Sequence, residues 1–345
     1  MRAVLLKAGA GNGGPRAQVE EVPVPSIGPG ELLVQMKACG LCGTDIEKLH
    51  GEYTAAMPVL GHEAVGIVSR VEGKVEGIKE GDRVFPHHHV PCHNCYYCRR
   101  GNETMCDHYK TSYLDPGGFA EFIRVPEWNV SHGGVLKVPE RLSFDEASLV
   151  EPTACCIRAI ERCGVEEGDS VLVVGAGPVG MTHALLLASM KARVMVSDIS
   201  DDRLNFARGS HLGAVLDAGK LDVPQEVKRA TEGRGADLAI AASGSLRAIE
   251  QALKSVRKGG KVCIFGVPPK GSILQYDVSD PYNSEVSLFS SYAATDVDTA
   301  KALKLIASRR IDFASLITHR FRIEEFDRAV ETMSSGKGMK VVITP

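Results

Sequence analysis

Four cysteines, Cys92, Cys95, Cys98 and Cys106, fall in the run CHNCYYCRRGNETMC with the spacing C-x2-C-x2-C-x7-C. Four thiolates this close can wrap one tetrahedral zinc and leave no coordination position for chemistry. The spacing points to a closed, structural site, against the alternatives of disulfides or a chance cluster. A sparser set of donors lies on either side: Cys42 in CGLCGTD, His62 and Glu63 in LGHE, and Glu151. Taken singly, each has an ordinary role. Cys42 could be a small buried hydrophobe, His62 a hydrogen-bonded core histidine, and Glu151 an acidic charge at a helix start.

A third chemistry-bearing stretch is VLVVGAGPVG, which carries Gly175, Gly177 and Gly180 as G-x-G-x-x-G. It follows an apolar strand and opens a helix, the setting in which this motif binds a dinucleotide. Gly175 would permit the tight turn, Gly177 the approach of a pyrophosphate, and Gly180 close helix–strand packing. The helix that starts at Pro178, which has no N–H of its own, would then turn the unpaired N–H groups of its first turn, from Val179 on, toward phosphate. Asp198 closes the next strand, 18 residues beyond Gly180. A carboxylate there would accept from ribose hydroxyls and repel a 2′-phosphate, which favours NAD over NADP. The alternatives are a turn or N-cap aspartate, and a domain of this type holding another nucleotide.

These residues need elements to position them. The first ~150 residues read as short strands and turns, with β-branched runs at Glu31–Ala38 and Ala64–Val71 and turn signals at Pro29–Gly30 and Gly81–Asp82. From about Glu151 the pattern changes. A helix is predicted over Ala154–Cys163, then a strand at Ser170–Val174, a helix at Val179–Met190, and strands at Ala192–Ser197, Asp237–Ala241 and Lys261–Phe265. Such alternation predicts a parallel sheet covered on both faces. Two amphipathic helices, Thr299–Ser308 and Glu324–Ser334, and a last strand, Met339–Ile343, close the chain.

Length and composition set the bounds. A chain of 345 residues, 44% hydrophobic and 24% charged, suits two globular domains. A net charge of −3 gives no broad field for nucleic acid or an anionic membrane. Ten cysteines in this length are not a disulfide-scaffold density. The start, MRAVLLKAGAG, does not read as a signal peptide, and no stretch approaches a membrane span. The default expectation is a soluble, cytoplasmic protein.

The motifs together resemble the zinc-containing medium-chain alcohol dehydrogenases along essentially the whole chain. CGTD at Cys42–Asp45, GHE at Gly61–Glu63, GDRV at Gly81–Val84, the four-cysteine lobe, GAGPVG and the terminal KVVITP carry the likeness, in order and in spacing. The pair Glu151–Pro152, where classical alcohol dehydrogenases place a zinc-ligand cysteine, resembles the sorbitol-type polyol and threonine dehydrogenase branch. Cys155 and Cys156, a turn further on, read as core. The resemblance implies an α/β protein of two domains. A GroES-like β-rich catalytic domain would comprise residues 1–152 and 290–345, with a zinc lobe at about 89–110. A Rossmann NAD-binding domain, a doubly wound parallel sheet, would occupy 153–289.

It also implies two zincs per chain, one structural and one catalytic. The catalytic zinc would sit on Cys42 and His62, completed by water and by Glu63 or Glu151, which exchange in related enzymes. Hydride would pass from a secondary alcohol to NAD while zinc acidifies the hydroxyl. Thr44 matches the proton-relay hydroxyl, Arg203 a residue stacking on the adenine side, and Val267 a neighbour of the nicotinamide. The partner is a small-molecule alcohol, and the resemblance implies a homo-oligomer, a tetramer favoured with a dimer as the alternative.

Two positions depart from the family pattern: Glu47 replaces a relay histidine, with His50 a candidate substitute, and Glu72 replaces a signature glycine, with Gly73 beside it. In the triplet His87–His89, alternation is expected to separate the three side chains. His89 occupies the place of an active-site histidine of threonine dehydrogenase-like relatives, and His87 and His88 read as structural. Tyr53, Tyr113 and Tyr292 are candidate pocket edges. Polyols, cyclitols or sugars are the expected substrates, with threonine as the alternative. The rival readings are a zinc-free reductase of the same superfamily, which would lack these ligands, and a non-catalytic dinucleotide sensor with a structural zinc.

Overall fold

The computed structural model describes residues 1–7, 15–51 and 57–345. Strands β1 (Arg2–Lys7) and β2 (Arg16–Glu21) form an antiparallel pair. They are followed by β3 (Leu32–Gly40), β4 (Glu63–Val71), β5 (Arg83–Pro86), β6 (Phe122–Val125) and β7 (Val135–Lys137). The chain then builds β8 (Ser170–Val174), β9 (Arg193–Asp198), β10 (Gly213–Asp217), β11 (Ala236–Ala241), β12 (Val256–Ile264) and β13 (Ser287–Ser290). It ends with β14 (Ile317–Arg322) and β15 (Lys340–Thr344). Contacts divide the chain into one unit of Met1–Ala154 with Ala294–Pro345, and a second of Cys155–Ala293.

In the first unit the sheet order is β14-β15-β3-β4-β5-β7. Strands β6 and β15 share one edge of β3: β6 pairs its start, Leu32–Gln35, and β15 its end, Cys39–Gly40. Leu32, Val34, Met36, Ala64, Val68, Phe119, Ile123, Val341 and Ile343 are among the buried side chains that fill its core. The last strand therefore reaches back to the first third of the chain and lays Val342 opposite Gly40.

The second unit is a six-stranded, wholly parallel sheet in the order β10-β9-β8-β11-β12-β13. Counted from β8, this is the 3-2-1-4-5-6 order of the Rossmann fold. Strand β8 is SVLVV and buried at every position, as a central strand with helices on both faces requires.

Most predicted strands are found within a residue or two. The helix at Glu151 differs more: it runs Val150–Cys163, four residues earlier than predicted from Ala154. Pro152 sits in its first turn, where a missing N–H costs no intrahelical bond. A carboxylate at Glu151 in that first turn also complements the helix dipole. Strand β12 likewise begins at Val256 rather than Lys261. Among the described residues no helix is long and apolar enough to cross a membrane.

Candidate metal centres and dinucleotide loop

The closed cluster forms on a knuckle between β5 and β6. His93 and Gly101 adopt left-handed φ values of 56° and 73°, and short helical turns at Cys98–Arg100 and Glu103–Met105 bring the sulfurs round. The ligand atoms of Cys92, Cys95, Cys98 and Cys106 all lie within 4.8 Å of one another. The Cys95–Cys98 and Cys92–Cys106 sulfur separations are both 3.5 Å. That is far beyond a disulfide bond, and close to the ~3.8 Å edge of a tetrahedron with 2.3 Å zinc–sulfur bonds. All ten cysteines are free. A backbone hydrogen bond from Cys98 lowers the Cys95 thiol to about 7, whereas burial and the neighbouring thiols push Cys98 up to about 12.

The open cluster comes from the end of β3 and the start of β4. Cys42 is the N-cap of a short helix, α1 (Gly43–Leu49). Asp45, fully buried at the third position of that helix, accepts from Cys42 N (3.1 Å) and Gly61 N (3.2 Å). Its Oδ1 also lies 3.5 Å from His62 Nδ1. One carboxylate thus ties the CGTD turn to the GHE turn and orients the histidine. Gly61 is held at φ +89°, and a Cβ there would meet the Phe119 backbone at 2.8 Å. The donor atoms of Cys42, His62 and Glu63 all lie within 4.8 Å of one another.

Glu151 falls outside that three-residue group, though it is 6% exposed and its charge acts on Glu63, His87 and Lys340. Burial disfavours a charged His62, but Asp45 and Cys42 together hold its pKa well above the ordinary value. Burial would also raise Asp45, and His62 more than offsets this, leaving it lowered.

Two residues at this site, Asp45 and Lys340, have no assigned role in the sequence reading. Lys340 opens β15, is buried, and forms an ion pair with Glu63. A lysine heading the apolar run VVIT was its only signal. Thr44 and Glu47 lie half-buried on α1, and exposed His50 is its C-cap.

The histidine triplet corrects the expectation of diverging side chains. Strand β5 ends at Pro86, so residues 87–89 are irregular and do not alternate. The His87–His88 and His88–His89 ring centroids are 5.0 and 4.1 Å apart, and His88 lies 5.2 Å from His62. His89 continues the series to Tyr109 and Tyr113 at 4.9 and 5.1 Å. Its Nδ1 is 3.0 Å from Ser112 O, and burial takes its pKa down to about 3. His87 Nε2 meets Ala294 O at 3.1 Å. Cys156 is buried in the helix after Glu151, and Cys155 is half-buried. Tyr53 lies outside the described residues, and Tyr292 is exposed.

In the second unit Gly175 has φ +108°, which turns β8 into the helix Pro178–Ser189. A Cβ on Gly180 would lie 1.8 Å from Gly175 O, so glycine is required for the helix to sit this close. Gly177 is the N-cap; the nearest atoms to a Cβ on it would be those of the Arg203 guanidinium, at 3.6–4.0 Å. Asp198 ends β9. Its Oδ2 accepts from Ala176 N (2.7 Å), and its Oδ1 from Ile199 N (2.7 Å) and Ser200 N (2.9 Å). Arg203 lies 3.9 Å from it. Val267 follows the end of β12 and is half-buried.

Residues 28–140 match the alcohol dehydrogenase GroES-like domain family, and residues 178–308 the zinc-binding dehydrogenase family. The chain belongs to the zinc-binding medium-chain dehydrogenases. It is 30% identical to a sorbitol dehydrogenase of Halalkalibacterium halodurans over 99% of this chain and 98% of that one. It is 33% identical to an L-threonine 3-dehydrogenase of Pyrococcus furiosus over 94% of each. Among solved structures, alcohol dehydrogenase TADH from Thermus sp. ATN1 superposes with a TM-score of 0.87 at 29% identity, covering 100% of this chain and 99% of that one. An NAD(P)-linked oxidoreductase of the zinc alcohol dehydrogenase superfamily follows.

Proposed function

We propose that this enzyme oxidises a secondary alcohol, a polyol, cyclitol or sugar, to its ketone with NAD as hydride acceptor. The convergence of Cys42, His62 and Glu63 carries this reading: one thiolate, one imidazole and one carboxylate within 4.8 Å suit a catalytic rather than a closed zinc site. The donors fit the ion, since Glu63 Oε1 is buried without a hydrogen-bond partner. Cys42 and His62 would hold the zinc, with Glu63 or Glu151 as the carboxylate ligand, and the four-cysteine lobe a second, structural zinc. A zinc so bound acts as a Lewis acid that lowers the pKa of a hydroxyl.

The chain's own residues do the rest. Asp45 fixes the His62 ring. The Thr44 hydroxyl, two residues from Cys42, relays the proton leaving the substrate hydroxyl, accepting it as it passes its own proton on toward water. Gly175, Gly177, Pro178, Val179 and Gly180 cradle the pyrophosphate of NAD, which supplies the hydride-accepting ring. Asp198 selects the ribose diol, Arg203 flanks the adenosine, and Val267 lies beside the nicotinamide. A second reading, oxidation of an amino alcohol of the threonine type, is supported by the identity to the Pyrococcus furiosus enzyme and by the position of His89.

The test is NADH formation across polyols, cyclitols, sugars, threonine and simple alcohols. A polyol, cyclitol or sugar with the highest kcat/KM is the expected result. Threonine leading the panel would favour the second reading, and no turnover of any alcohol would contradict both.

A further inference from the structure

Strands β15, β3 and β4 are neighbours, and Lys340, Gly40 and Glu63 lie across them. The Lys340 ammonium and the Glu63 carboxylate join over the central strand because Gly40 has no side chain. A Cβ there would sit 1.8 Å from Glu63 Oε2 and 2.7 Å from Lys340 Cε. Both partners are buried, with side chains 4% and 0% exposed. Lys340 Nζ also donates to Leu41 O at 3.2 Å, next to Cys42. Burial works against a charged Lys340, yet Glu63 holds its pKa above the ordinary value. Burial raises the Glu63 carboxyl, and Lys340 offsets part of that.

Desolvating an isolated ion pair is costly, and such pairs add little to stability on average. This one has an asymmetric geometry. Oε2 of Glu63 is ion-paired with Lys340, and both Glu63 oxygens are buried without a hydrogen-bond partner, with the carboxylate in the same group as the Cys42 and His62 donors. We propose that Lys340 is a positioning residue that competes with the catalytic metal for Glu63, keeping that carboxylate beside the ion but weakly bound to it. The consequence is a metal site that is preformed and exchangeable. Removing the ammonium takes a positive charge from beside a dication and releases Oε2, so both effects tighten the hold on the metal. The proposal rests on the zinc assignment made above.

The experiment follows zinc release from loaded protein to a chromophoric chelator. The Cys42→Ala variant identifies which kinetic phase belongs to this site. Lys340→Met should slow that phase by about tenfold, the lower end for changes beside a metal ligand. It should also widen the Tm gap between metal-free and zinc-loaded protein, because only the metal-free form then carries an unpaired buried carboxylate. Glu63→Gln, which keeps Lys340, should speed the phase by a similar factor, and the double variant should lie closer to Glu63→Gln than to wild type, because Lys340 acts mainly through that carboxylate. A Lys340→Met phase that is unchanged or faster would overturn the proposal. If that variant does not fold with or without zinc, Glu63→Gln decides alone, and an unchanged phase would overturn it. Absence of any phase removed by Cys42→Ala would instead defeat the zinc assignment itself.

Discussion

The two candidate metal clusters share a cysteine-rich appearance and differ in what surrounds them. Around Cys92, Cys95, Cys98 and Cys106 the neighbours are turns and thiol contacts, and four sulfurs exhaust a tetrahedral ion. Around Cys42, His62 and Glu63 lies a second layer of charge: Asp45 behind the histidine and Lys340 behind the carboxylate. A site that only holds a fold needs ligands. A site that must release and rebind an oxygen donor needs its ligands oriented and their charge tempered, which is the work of outer partners.

Four substitutions sharpen or break this contrast. The largest effect is expected from Cys42→Ala. Losing a zinc's Lewis-acid contribution removes several kcal/mol of transition-state stabilisation, about a thousandfold or more in kcat. NAD affinity should stay within about twofold, because Cys42 lies outside the glycine loop. Turnover near wild type would remove Cys42 from the ligand set.

Cys95→Ser should act on stability first, lowering the apparent Tm by about 10 °C as a closed site opens. The chain's single tryptophan is a convenient reporter. Trp128 donates to Val90 O at 3.0 Å and stacks on His108, two residues after Cys106, with centroids 4.1 Å apart. Its fluorescence should change in parallel. A Cys95→Ser protein as stable as wild type yet inactive would exchange the roles of the two clusters.

Asp45→Asn should weaken zinc at the open site by about 10–100-fold while leaving the lobe's zinc in place, as read by competition with a chelator. Equal loss from both sites would mean that Asp45 only supports the fold.

His183 supplies a reference outside both clusters. It is fully buried on the helix after the glycine loop, both ring nitrogens lack partners, and its ring meets Phe265 edge-on at 4.5 Å. Burial takes its pKa from 6.5 to about 3. Between those values the unfolded chain binds a proton that the folded chain does not. The stability this group contributes is therefore complete above about pH 6.5 and is lost as pH falls toward 3. His183→Leu should flatten the acid limb of the stability profile by at most about 1.4 kcal/mol per pH unit. Parallel profiles for the two proteins would show that His183 does not titrate this way.

The legible part of the molecule was whatever is local in sequence. The C-x2-C-x2-C-x7-C run, the glycine loop with its flanking strand and helix, and the fully apolar β8 each carry their structure within about twenty residues. Cys42 and His62 are separated along the chain, and family resemblance rather than local pattern joined them. Lys340 and Gly40 stayed silent because their meaning depends on which strands become neighbours. Strand β15 pairs with β3 only after the whole Rossmann unit has intervened, and no periodicity announces that register. Asp45 was inside a recognised motif, yet its role appears only when the turn before β4 folds against α1. The histidine triplet shows the converse error: an alternation rule fails where the strand has already ended at Pro86.

The most direct measurement is the zinc content per chain of purified protein, taken for wild type, Cys42→Ala and Cys95→Ser. Two ions in the wild type are expected, with Cys42→Ala retaining the lobe's ion and its fold while losing turnover. One ion per chain in the wild type, or a Cys42→Ala protein that still holds two, would contradict the division into a closed and an open site.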